Sequence, residues 1–113
     1  MDFLTVLKMI AALLTAATGA LAFVKPSAAY GFIGLKAEGV RGVSEIRSIF
    51  GGLFIGLGVA PLCLGAAAYS MLGIGYCAIA AARAFSIVVD KSYARSNLIS
   101  LVIEIVLGVI LVV

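Results

Sequence analysis

From Ile46 to Val89 the only charged residues are Arg47 and Arg83. This uncharged run constrains the fold more than any other feature of the chain. A helix needs ~20 mainly apolar residues to cross a hydrocarbon layer ~30 Å thick, and the run is about twice that length. A small globule leaves a large share of its surface exposed and cannot hide so much apolar material. The run therefore reads as two membrane spans. The break is expected near Gly65 to Ser70, where Gly, Ala and Ser cluster and Tyr69 suits a membrane–water interface.

Two further runs complete the count. One extends from about Phe3 to Val24 and is closed by Lys25-Pro26; the other extends from about Ser96 to Val113. All four are continuous, whereas barrel strands alternate in polarity over ~10 residues. The expected fold is an all-α membrane protein. It is a single domain, residues 1–113, built as a four-transmembrane-helix bundle with antiparallel up-down neighbours. The spans are placed at about 3–24, 46–65, 69–89 and 96–113, with an interfacial loop over about 25–44.

Composition agrees. Hydrophobic residues make up 65% of the chain and mean hydropathy is +1.30, against ~45–50% apolar residues in soluble domains. Two cysteines are too few for a disulfide-stapled fold, and the absence of histidine removes His-based triads and His metal sites. Ala20-Leu21-Ala22 resembles a leader-peptidase site, but the segment before Lys8 is apolar rather than basic. The first run is therefore expected to stay as a span.

Charge sets the expected orientation. The first connection carries Lys25, Lys36 and Arg41, with Arg47 just beyond it. The third carries Lys91 and Arg95, and the second carries no charge. The positive-inside rule places the first and third connections in the cytoplasm, with both termini outside. Lys8 lies about a turn and a half inside the first span and reads as a snorkelling anchor. The first connection mixes Tyr30, Phe32, Ile33 and Leu35 with four glycines. It reads as a flexible interfacial connector or, more sharply, as a segment that lids a cavity.

Polar and small residues fall into stripes. They are Thr5, Lys8, Ala12, Thr15 and Gly19 on the first span, and Glu45, Ser48, Gly52 and Gly56 on the second. On the third, Tyr69, Tyr76, Arg83 and Asp90 recur by heptads, with Gly73, Ala80 and Ile87 between them. On the fourth they are Asn97, Ser100, Glu104 and Gly108. Small faces let helices approach closely in lipid. Gly51, Gly52, Gly56 and Gly58 are the expected packing glycines, and Gly52-x-x-x-Gly56 reads as a close-contact motif. Pro61 predicts a kink.

Arg83 and Glu104 stand within apolar runs, where a charge costs at least ~2.5–3.5 kcal/mol. Arg83 is one heptad from Asp90 and Glu104 one heptad from Asn97, so each lies ~10 Å from the same end at ~1.5 Å per residue. An Arg83–Glu104 ion pair is expected. Glu45, Arg47 and Asp90 are candidate extensions of it, and the five together form the candidate ligand or ion site. A structural reading, in which the pair fixes helix register, competes with a polar cavity for an ion, proton or small ligand.

Chemistry beyond binding finds no support in the residues. Cys63 and Cys77 fall within spans, where buried thiols are inert, and they have no ligand-spaced neighbours. Walker, G-x-S-x-G, CxxC and dinucleotide patterns are absent. No enzyme activity, cofactor or metal is expected. The net charge of +3 is accounted for by the cytoplasmic connections, so no nucleic-acid partner is expected either.

The run Glu45-Ile46-Arg47-Ser48-Ile49-Phe50-Gly51-Gly52-Leu53-Phe54-Ile55-Gly56-Leu57-Gly58 resembles the signature of a family of small bacterial four-helix membrane proteins, defined as a domain of unknown function. The likeness extends from Tyr30 onward. It includes an Arg late in the third helix (Arg83), an Asp at its end (Asp90) and a Glu in the fourth (Glu104). The resemblance implies four helices and an inner-membrane location and supplies no activity. Small multidrug transporters of equal length carry an acidic residue in the first helix; here that helix has Lys8 and no carboxylate after Asp2. The functional expectation is a helix-packing, accessory or scaffolding module, with the lipid bilayer and a second copy or another membrane protein as partners. The alternative is a small transporter or ligand-binding protein that uses the Arg/Glu cluster.

Overall fold

The protein is described here by a computed structural model covering residues 2–113. Helix α1 spans Phe3–Val24. Asp2 caps it, its carboxylate accepting a hydrogen bond from the Thr5 backbone N–H at 2.8 Å. The hydrogen bonds from Thr5 hold the Asp2 carboxyl below the usual carboxylate range. The stabilising effect of this cap is therefore fully present above the ordinary carboxyl pKa and is lost as pH falls through the lowered one. After α1, Pro26–Ala29 forms a 3₁₀ turn and Tyr30–Ile33 a single α-turn closed by Gly34 at φ 77°.

Helix α2 runs Gly39–Leu64, α3 Ala66–Val89 and α4 Arg95–Val112; with α1 these are four helices long and apolar enough to cross a membrane. Helix α2 starts before residue 46, so residues 39–44 are helical rather than loop. The apolar run marked only the part of the helix suited to a hydrocarbon layer. An Arg41–Glu45 pair, 3.1 Å apart and spaced i,i+4, supports the extra exposed turns. The break between α2 and α3 is also narrower than expected. Gly65 alone makes it, at φ 81° and ψ −146°, a conformation that suits glycine. Residues 66–68 thus belong to α3. Tyr69, one turn into α3, is half-buried against the cluster of Ala11, Ala12, Leu72 and Leu111.

Helix α1 packs along α2 and α3 along α4, while the two pairs meet less extensively. The molecule is a flattened slab of 44 × 32 × 17 Å. Its exterior is rich in Leu, Ile, Val and Phe; only Glu104, Gly108 and Leu111 of α4 are buried. That distribution is the reverse of a soluble globule's. One core cluster joins Ala11, Ala12, Leu72 and Leu111, with Tyr76 and Leu107 packed on it. A second joins Ala22, Ala29 and Ile46, with Tyr30, Ile33, Ala37 and Phe50. The connection after α1 is therefore packed onto the helix ends instead of hanging free.

Three of the four stripes face inward. Ala12, Thr15 and Gly19 are buried on α1, Gly73, Ala80 and Ile87 on α3, and Glu104 and Gly108 on α4. The α2 stripe does not: Glu45, Ser48, Gly52 and Gly56 are all exposed. The buried residues of that helix are Ile46, Gly51, Gly58 and Pro61. The physical reason is that Ile46–Leu53 is wound as a π-helix. Its i→i+5 hydrogen bonds change the face presented by each successive residue. Ile46 and Gly51, five apart, share the inner face, and normal α spacing resumes beyond Phe54. Gly51 accordingly lies against Phe23, and Gly58 against Ala12 and Ala16. Around Gly56 nothing lies where a side chain would begin. Across the other pair, Gly73 lies against Leu111 and Val112, and Gly108 against Cys77.

Candidate functional site

Arg83 projects from α3 toward α4 and meets Glu104 in a bidentate pair. Its Nε donates to Oε1 at 2.7 Å and its Nη2 to Oε2 at 2.6 Å. Its Nη1 donates to Asn97 Oδ1 at 2.7 Å. Asn97 in turn donates through Nδ2 to the Ser92 carbonyl at 3.1 Å and to the Ser92 hydroxyl at 3.0 Å. Fork-to-fork geometry of this kind is the strong form of a charged hydrogen bond. The two side chains are 29% and 11% exposed, so the pair sits largely out of water. Three charge-assisted bonds offset the desolvation of both groups. The network ties the end of α3, the turn after it and two turns of α4 into one unit.

The other candidate residues stand apart from it. Glu45 accepts from Arg41 at 3.1 Å. Arg47 is exposed and has no carboxylate partner among the described residues. The turn of the π-helix, which carries the glycines of α2 away from the expected face, carries these two outward as well. Asp90 accepts from Ser86 at 2.7 Å and forms no ion pair with Arg83. Asn97 takes the place expected of Asp90. Its signal in the sequence was its heptad spacing from Glu104 on the α4 stripe. A second interhelical link was not anticipated: the Thr15 hydroxyl, buried on α1 and donating to the Ala11 carbonyl, bonds the Tyr76 hydroxyl of α3.

Two cavities open beside these links. One, of about 250 Å³, is almost wholly apolar and lies between α2 and α3, with Phe54, Leu57, Met71 and Ile79 on its walls and Thr15 and Tyr76 at its base. The other, of about 230 Å³, has a mixed polar and apolar lining. It is lined by Arg83, Asn97, Ser96 and Ser100 together with Phe32 and Ile33. Residues of the short turn after α1 thus line the same cavity as Arg83 and Asn97. Cys63 and Cys77 are within α2 and α3 and are exposed rather than buried, although the Cys77 thiol also lies against Gly108 of α4. A position within a span implies burial only on an inward face, and in a thin bundle much of each helix faces outward. Among the described residues no group of three potential metal ligands comes together.

No curated protein and no solved structure matches the chain. The family model described as Domain of unknown function (DUF4345) matches residues 3–113. The match takes in α1 as well as the Glu45–Gly58 run and the positions of Arg83, Asp90 and Glu104. The chain belongs to the DUF4345 family.

Proposed function

We propose that the chain is a non-enzymatic integral protein of the bacterial inner membrane that binds a small polar ligand in the pocket beside Arg83. The observation that carries this reading is the cavity of about 230 Å³ lined by Arg83 and Asn97 of the network and by Phe32 and Ile33. The antiparallel helices span the bilayer, and the end bearing the pocket faces the cytoplasm with the basic connections. The pocket therefore lies at headgroup depth, accessible from water and from lipid.

Accessibility tests the pocket directly. In a chain with Cys63→Ala and Cys77→Ala, Ser100→Cys is expected to react with a small water-soluble thiosulfonate. Ala80→Cys, at a position 6% exposed on the same helix pair, is expected to stay protected. Equal protection of both would mean that the cavity is closed to ligands.

Orientation has its own check. Ala66, exposed beside the Gly65 turn, replaced by Cys in the same background, is expected to be labelled from outside intact cells by an impermeant maleimide. Labelling only after the cells are opened would reverse the topology.

The outward-facing Gly52 and Gly56 favour a second reading, association with another helix through that face. This reading concerns a different surface and is compatible with a ligand pocket at the cytoplasmic end.

A further inference from the structure

We infer that the pocket beside Arg83 is a phosphate site, an inference that rests on the ligand-binding reading above. Both Glu104 oxygens and the Asn97 carbonyl oxygen are bonded to Arg83. The strong acceptors at the pocket are thereby engaged. The donors are in surplus. A guanidinium carries five N–H groups, and three of those on Arg83 are used. The hydroxyls of Ser96 and Ser100 line the same cavity. Ser92 accepts from Asn97 and keeps its own O–H to give. A ligand that fits this lining brings acceptors and few donors.

Two further features favour an anion. Helix α4 is 18 residues long and starts at this pocket without a side-chain cap, Ala94 occupying the N-cap. The positive end of its dipole therefore lies beside the chamber. This end of the bundle also carries Lys25, Lys36, Arg41, Arg47, Lys91 and Arg95 against Glu38, Glu45 and Asp90, while Asp2 and Lys8 balance at the other. Of the acidic groups on neighbouring elements, Asp90 is bonded to Ser86 and Glu45 to Arg41. The apolar wall of Phe32 and Ile33 suits the carbon side of an ester. The ligand class is thus a phosphate oxyanion, from a lipid headgroup or from a free phosphate compound.

The test uses the full chain in maltoside micelles, with binding read by native mass spectrometry and calorimetry. The probes are dihexanoyl phosphatidylglycerol, dihexanoyl glycerol and inorganic phosphate. Phosphatidylglycerol is expected to bind and the glycerol lipid, which lacks the phosphate, is not. Competition by inorganic phosphate would assign the site to free phosphate compounds; its absence would assign it to the lipid headgroup. Ser96→Asp adds a like charge to the pocket without touching the Arg83–Glu104 pair, and is expected to weaken binding by at least about tenfold. Ser100→Leu fills the chamber and serves if Ser96→Asp does not fold. Equal binding of the two lipids, or undiminished binding by a folded variant, overturns the phosphate assignment. If Ser100→Cys reacts as expected but neither phosphate probe binds, the phosphate inference falls and the pocket reading stands. If Ser100→Cys is also inert, both fall.

Discussion

Arg83→Ala is expected to destabilise the protein by about 3–5 kcal/mol, and Glu104→Ala toward the lower end of that range, because each leaves a buried charge without its partner. The expectation follows from geometry as much as from charge. Both carboxylate oxygens and two guanidinium nitrogens are matched in one edge-to-edge, two-bond contact. Glu104 is 9% exposed as a residue, so water does little to replace what is lost. Asn97 makes the two single variants unequal. With Glu104 gone, Arg83 still donates to Asn97; with Arg83 gone, Glu104 keeps no side-chain partner. Glu104→Ala should therefore be the milder change. The exchange Arg83→Glu with Glu104→Arg restores the pair and forfeits the bond to Asn97, so recovery should stop about 1.5–3 kcal/mol short. Equilibrium unfolding of the purified chain in mixed micelles measures all of these. Single variants as stable as the natural chain would show that the α3–α4 unit is held by apolar packing alone.

The depth argument located this pair because α3 and α4 are regular. On a uniform helix, heptad spacing from Asp90 to Arg83 and from Asn97 to Glu104 fixes both depth and face. The same regularity made the inner faces of α1 and α3 legible, down to Thr15, Gly73 and Ala80. Reading failed where the backbone departed from the α period. Nothing in Ile46-Arg47-Ser48-Ile49-Phe50 announces a π-helix, and a five-residue step turns Glu45, Arg47, Gly52 and Gly56 outward together. The start of α2 was missed for another reason. Hydropathy marks where a helix suits hydrocarbon, whereas Arg41 and Glu45 extend it by a local pair that hydropathy counts against it. The pocket was legible only in part. Arg83, Asn97 and Ser100 could be placed on facing stripes, but the rest of the lining depends on the turn Tyr30–Ile33. Its position is set by Gly34 in the left-handed region and by burial of Ala29 beside Ala22 and Ile46.

The glycines of α2 offer the sharpest contrast between the two accounts of that helix. A Cβ on Gly58 would lie 2.5 Å from the Ala16 backbone nitrogen and 2.6 Å from the Ala12 carbonyl oxygen. Those are main-chain atoms of α1, and no rotamer change can move them aside. Gly58→Ala must push α1 and α2 apart, at a cost of about 1–3 kcal/mol for an overpacked contact. Gly58→Leu should prevent the pair from forming. Gly56→Ala meets nothing within 4 Å, and removing a helical glycine gains roughly 0.5–1 kcal/mol. The two alanine variants should thus shift the unfolding midpoint in opposite directions. Had α2 been a regular α-helix packed through Gly52-x-x-x-Gly56, the signs would be exchanged. A loss on Gly56→Ala accompanied by dissociation of a dimer in native mass spectrometry would instead place a second copy on the outward face. The π-helix would then have freed one glycine pair for association while committing Gly51 and Gly58 to the fold.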